Sequence, residues 1–292
     1  MSGSPHLPYL VCSLWTLRKH WEGKLTICAW PEAYDLTLRI AQDERLAVSD
    51  VRERDPQFTE RNGSCVNHSL DKIRMIQEMK DKTDVVMYID ADTTIHYTIQ
   101  PLLDIGFQYG FVATQFNDWL STGNKARGRL KKFLGIEGID QSIVQLMMRE
   151  PWPSVNSGVF VARPGSPVLE TYYNYTYAAR KVFIADETAL NLMQPLYRPL
   201  RQLVTVGDNG KWNCSPKFQS KKLADEDIAV LHFHGDSCVR PEKKSQRGFD
   251  LWWPIYQECL RENVGGMAEW KDSIRTKYLG PLEKQLAEEA SE

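Results

Sequence analysis

An apolar run ends in two aspartates one residue apart: DVVMYIDAD at 84–92 closes on Asp90 and Asp92. On a β-strand, alternation points both carboxylates the same way. Two carboxylates held together repel unless a cation joins them. Hard oxygen ligands beside a diphosphate suit Mn2+ or Mg2+. The string by itself also fits an Asp-rich turn at a strand end. HFHG at 232–235 can supply a nitrogen to the same ion through His232. His234 is the rival, because alternation puts it on the same side. A core histidine bonded to backbone is the plainer reading of either.

Two further stretches carry polar groups where chemistry needs them. In VNSGVFVAR, 155–163, Asn156 and Ser157 stand at the entrance of a strand, and Gly158 permits close approach of backbone or ligand. Asn156 can hydrogen-bond a sugar hydroxyl or simply belong to a β-turn. In ADETALN, 185–191, Asp186 is at an N-cap-like position, with Glu187 and Thr188 in the first turn. The carboxylates either cap the helix or face a sugar's hydroxyls and anomeric carbon.

These residues need a scaffold, and the pattern supplies one. Helical spacing is expected over 9–21, 33–45, 71–80, roughly 166–182 and from 185, and strands over 24–30, 46–53, 84–92, 110–116, 154–163 and 228–235. Alternating strands and helices predict an α/β fold with a mixed, mostly parallel sheet covered by helices on both faces. In such sheets ligands bind beyond the carboxyl ends of strands. Residues 1–262 are expected to form one catalytic domain, and 263–292 a polar C-terminal helical extension.

Composition excludes other classes. The net charge of -2 advertises neither nucleic acid nor an anionic membrane. No apolar stretch reaches the roughly 18 residues of a membrane span. MSGSPHLPYL lacks the features of a secretory signal, so a cytoplasmic protein is expected. Cys12, Cys28, Cys65, Cys214, Cys238 and Cys259 have no metal-like spacing and read as reduced thiols. On that view the sequons at Asn62, Asn67, Asn174 and Asn213 are chance matches. The basic stretches KARGRLKK (125–132) and RPEKKSQRG (240–248) read as solvated loops or, more sharply, as a surface for an anionic acceptor. Trp152, Trp252 and Trp253 are either core residues or platforms for a sugar or base.

The order of motifs (D-x-D after a strand, N-S-G-V, D-E-x-x-L-N, H-x-x-G) resembles the GT-A glycosyltransferases, and most of all family 8, over roughly 9–250. The resemblance implies a retaining, metal-dependent transfer of a hexose from a nucleotide diphosphate sugar, such as a UDP-sugar, to a hydroxyl acceptor: a glycan, a protein or a modified nucleic acid. Asp90, Asp92 and His232 would hold Mn2+ or Mg2+. Asn156, Ser157, Asp186 and Glu187 would line the donor sugar, Lys72 or Arg74 would sit near nucleotide or sugar, and Gly235 and Arg240 would approach the diphosphate.

Three departures stand out. Family members usually begin with a β-strand and a nucleotide-contacting loop before the first helix, whereas this chain is expected to start inside that loop, around Pro8 and Tyr9, with the strand either truncated or replaced by MSGSPHLPYL. Cys238 occupies the place of a diphosphate-binding lysine, leaving Arg240, Lys243, Lys244 or Arg247 to replace it. Glu187 stands where family 8 often has glutamine. An inactive GT-A-like binder of glycan or nucleic acid is the alternative, and a sugar nucleotidyltransferase a further one, although no Gly-rich basic nucleotide loop is present.

Overall fold

The structure is a computed structural model that describes residues 4–55, 61–62, 65–66, 68–119, 124–182, 184–206, 210–216, 227–234, 246–274 and 279–289. In chain order its elements are α1 (Leu7–Arg18), β1 (Thr26–Ala29), α2 (Tyr34–Ala41), β2 (Asp50–Glu53), β3 (Arg61–Asn62), β4 (Cys65–Val66), α3 (His68–Gln77), β5 (Val86–Ile89), β6 (Thr93–Ile95), α4 (Gln100–Tyr109) and β7 (Phe111–Trp119). There follow α5 (Asn124–Lys131), α6 (Gln141–Arg149), β8 (Pro153–Ala162), α7 (Pro167–Ala178), α8 (Ala185–Tyr197), β9 (Val204–Val206), β10 (Val230–His232), α9 (Gln246–Arg261), α10 (Met267–Trp270) and α11 (Leu279–Glu289). Contacts divide the chain into two units, one of residues 1–54, 90–98 and 214–292, the other of 55–89 and 99–213.

In the first unit β1 pairs in parallel with β2, and β6 pairs antiparallel with β10 so that His232 faces Thr93. Pro8 fits the first turn of α1, where its missing N–H costs no hydrogen bond. Leu7, Val11 and Leu14 of that helix join Ile27, Trp252 and Tyr256 in one core. Trp252 is fully buried and stacks on both Tyr9 and Tyr256 at 4.9 Å, so it is a core residue rather than a sugar platform. The segment from 263 is not one polar helix. Gly265 and Gly266 take φ of +59° and +67°, which breaks the chain direction. Val264, Met267, Trp270, Leu279 and Leu282 then enter the core. Tyr256 donates to Glu283 Oε1 at 2.7 Å, and burial, aided by that carboxylate, pushes the phenol pKa well up.

The second unit holds a four-stranded sheet in the order β5-β8-β7-β9. β8 runs antiparallel to β5 and β7, and β9 is parallel to β7. The α/β class and the mixed sheet are those expected, but parallel pairing is confined to β1–β2 and β7–β9 among the described strands. Alternation of strands and helices does not fix strand direction where long connections let the chain return antiparallel. Phe111, Val155, Phe160, Tyr172 and Leu190 lie in this unit's core.

The basic stretch 125–132 is not a loop over its whole length. Asn124–Lys131 is helical, because Leu130 and, just beyond it, Phe133 are fully buried and anchor it. Burying each is worth about 1.5–3 kcal/mol. Among the described residues no helix is long and apolar enough to cross a membrane.

Candidate functional site

Asp90 and Asp92 do not lie on the strand as alternation required. β5 ends at Ile89, and the aspartates occupy the turn before β6. That turn is held by Thr93 Oγ1, which donates to the Asp90 carbonyl at 2.9 Å, and by Phe233 N, which donates to the Asp92 carbonyl at 2.8 Å. Backbone hydrogen bonds, not pleating, therefore aim the two carboxylates. His232, at the end of β10, places Nε2 3.6 Å from Asp90 Oδ2 and 3.3 Å from Asp92 Oδ1. The three ligand atoms lie within 4.8 Å of one another. His234 takes φ +52°, and its ring centroid lies 4.0 Å from that of His232 with the planes tilted by 30°, outside the triplet.

This donor set fits a divalent ion. Bonds of about 2.1 Å put neighbouring octahedral ligands about 3 Å apart and opposite ones about 4.2 Å apart. The observed 3.3 and 3.6 Å separations match neighbouring positions. His232 is 3% exposed while the two carboxylate side chains are 16% exposed, so the open side of the triplet is acidic.

The second unit carries a separate polar cluster. Asp186 does not cap α8; the residue before the helix is Ile184, in the left-handed region at φ +56°. That conformation is strained for a β-branched residue. Asp186 Oδ2 instead accepts from Lys72 Nζ at 2.6 Å and from Ser157 Oγ at 2.7 Å. Lys72 also donates to the Ser157 carbonyl at 3.1 Å. Its side chain is 2% exposed and that of Asp186 8%, so the pair is buried. Glu187 accepts from Asn156 Nδ2 at 2.6 Å through Oε2, and from Arg129 through Oε1.

Asn156 is not in a turn or at a strand entrance. It lies within β8, where the register with β7 jumps from Ala113↔Phe160 to Thr114↔Asn156. The irregularity gives Asn156 Oδ1 a backbone donor, Gly158 N, at 2.8 Å. Asn213, fully buried, donates to that same Oδ1 at 3.2 Å and to Thr114 Oγ1 at 3.1 Å. Asn191 brackets the neighbouring backbone, accepting from Val155 N at 2.9 Å and donating to its carbonyl at 2.8 Å.

Of the two basic residues on α3, only Lys72 joins this cluster. Arg74 binds Asp71 on its own helix and Glu78 just beyond the helix end. Burial works against the Arg74 cation, but the Asp71 hydrogen bond and nearby carboxylates outweigh it and hold its pKa above the ordinary arginine value. Gly235 and Arg240, and with them Cys238, Lys243 and Lys244, lie outside the described residues. Arg129 and Asn213 were missed in the sequence. Arg129 sits in a run of charge that reads as a loop, and the local sequence at Asn213 offers only a sequon, with no sign of its distant partners.

No protein-family model matches the chain, and no curated protein matches it. Solved structures do. A galactosyltransferase, LgtC, bound to donor and acceptor sugar analogues is 13% identical, with 86% of this chain and 91% of that one covered at a TM-score of 0.57. An active-site mutant of LgtC in which glutamate replaces a glutamine gives the same identity and coverage at 0.55. Mouse xyloside xylosyltransferase 1 in its apo form is 12% identical, covering 79% of this chain and 93% of that one at 0.53. The chain thus has the GT-A fold of these glycosyltransferases.

Proposed function

We propose that the protein is a metal-dependent glycosyltransferase that moves a hexose from a nucleotide diphosphate sugar to a hydroxyl acceptor with retention of anomeric configuration. The observation that carries this reading is the Asp90–Asp92–His232 triplet, with its ion-sized spacing, on a fold shared with glycosyltransferases. A bound Mn2+ or Mg2+ would neutralise the charge that develops on the leaving diphosphate. Asp90, Asp92 and His232 hold that ion. Asp186, fixed by Lys72 and Ser157, accepts hydrogen bonds from the donor sugar's hydroxyls. Glu187, oriented by Asn156 and Arg129, is the carboxylate nearest the anomeric carbon. Gly235 and Arg240 are assigned to the diphosphate.

The test is a thermal-shift titration with UDP, UDP-glucose and UDP-galactose, with and without Mn2+. A ligand at 100 times its Kd stabilises the folded state by about 2.7 kcal/mol. The wild type should shift upward only with nucleotide and Mn2+ together, and Asp92→Ala should lose the shift. An unshifted wild type, or an Asp92→Ala protein that responds normally, refutes the assignment.

A further inference from the structure

The second unit contains an open cleft of about 590 Å³ that none of the roles above uses. Gln115 from β7, Glu150 and Trp152 from the lead into β8, Arg198 from the end of α8 and Thr205 from β9 line it. We propose that this cleft binds a neutral saccharide unit of the acceptor; the proposal rests on the glycosyltransferase reading.

Its walls are rigid. Pro151, Pro153 and Pro199 have fixed φ. The buried Gln194 ties two sides together, donating to the Pro153 carbonyl at 2.8 Å and accepting from Thr205 Oγ1 at 3.0 Å. The cleft therefore does not have to be ordered by its ligand, which lowers the entropic cost of binding.

Its chemistry is that of a sugar site. The Trp152 ring and the three prolines offer apolar faces for the C–H faces of a pyranose. The Arg198 guanidinium lies 5.8 Å from the Trp152 ring centroid, over the ring. Around these faces stand the Gln115 amide, the Glu150 carboxylate and the Arg198 guanidinium, donors and acceptors suited to hydroxyls. The charges of Glu150 and Arg198 offset one another, which favours a neutral ligand over an anion. The indole N–H of Trp152 is buried with no acceptor among the described residues.

Its position suits an acceptor. Gln115 follows Thr114 on β7, and Thr205 lies on the neighbouring parallel strand β9, where it pairs with Ala113, so the two side chains come from adjacent strands of one sheet. Pro153 precedes Asn156 on β8 by three residues, about 10 Å along a strand. A saccharide in the cleft would thus be a neighbour of the reacting unit rather than the reacting unit itself. The acceptor would be an oligosaccharide.

The experiment is saturation-transfer NMR on the full chain with lactose, maltose and cellobiose, without metal or nucleotide. At least one disaccharide should receive saturation and bind the wild type. Trp152→Ala should weaken that binding at least tenfold, and Trp152→Phe, which keeps an aromatic face, less. Arg198→Ala, a change at an exposed side chain, should weaken it as well and serves if Trp152→Ala does not fold. No transfer to any of the three sugars, or transfer unchanged in both alanine variants, overturns the proposal. The nucleotide–Mn2+ thermal shift, read separately on the wild type, shows whether the glycosyltransferase reading fails with it or stands without it.

Discussion

Replacing Lys72 with methionine should be among the most destabilising single changes in the second unit. The Lys72 ammonium and the Asp186 carboxylate meet at 2.6 Å with side-chain exposures of 2% and 8%. At an effective dielectric of about 20, two unit charges at that distance attract by roughly 6 kcal/mol. Much of this is offset by the several kcal/mol lost when each ion leaves water. Removing one partner keeps the carboxylate's desolvation cost and forfeits the attraction, so the net loss is about 3–5 kcal/mol. Methionine nearly preserves the stem's volume, which separates this loss from a cavity. With an m-value of about 3 kcal/mol/M, the urea midpoint should fall by about 1–1.7 M. The double variant Lys72→Met with Asp186→Asn should recover part of the loss, because the amide leaves no unpaired charge. Urea unfolding followed by circular dichroism measures all three proteins at pH 7. A Lys72→Met cost under about 1 kcal/mol, or a double variant less stable than the single one, would refute the buried-pair argument.

Other outcomes follow from the same geometry. Glu187→Gln leaves one acceptor oxygen where the carboxylate has two, so either Asn156 or Arg129 loses its partner and stability should fall by about 1–3 kcal/mol. Its donor turnover, read as UDP release, should stay within about tenfold of wild type; a loss of a thousandfold or more would mean that the carboxylate acts as a nucleophile. Asp43 accepts from Arg45 and from Gly265 N at 2.7 Å, and the Arg45 hydrogen bond above all holds its pKa below the ordinary carboxylate range. A depressed folded pKa adds stability above the unfolded value of about 3.9 that is lost as pH falls through the folded value. Asp43→Asn should therefore cost about 1.5–3 kcal/mol at pH 7, and the gap to wild type in urea unfolding should close between about pH 5 and 2. Asn213 is fully buried, so mass spectrometry of chain made through a secretory host should find it unglycosylated.

Much of this was legible in the sequence because local pattern and tertiary role agreed. The apolar run before Asp90, the strand containing Asn156 and the helix opening at Ala185 all form close to where the spacing puts them. The antiparallel course of β8 was not legible, since a fully buried strand looks the same in either direction. The helices α4, α6 and α9 also escaped notice. Pro254 inside α9 and the charged approach to it hide its periodicity. Helix α5 carries Gly128 and five basic residues among its eight-residue span and the lysine after it, and only Leu130 and Phe133, which need a partner surface to matter, make it worth forming. Arg129 was lost for the same reason: a side chain's partner 58 residues away leaves no mark on local spacing.

The first turn of α8 shows how adjacent carboxylates come to differ. Successive residues on a helix point about 100° apart, so Asp186 and Glu187 cannot share an environment. Asp186 turns inward to a buried ammonium and a hydroxyl, which fixes its direction. Glu187 turns toward Asn156 and an arginine whose side chain is still 32% exposed, so its surroundings stay accessible to a ligand. The helix N-terminus favours negative charge at both positions by its dipole, though by no more than about 1 kcal/mol each. Ile184, held left-handed immediately before the turn, adds a strain of about 1–3 kcal/mol. On the proposed function, an anchored carboxylate and a more accessible one, set side by side on one turn, would separate the task of holding a sugar from that of facing its reacting carbon.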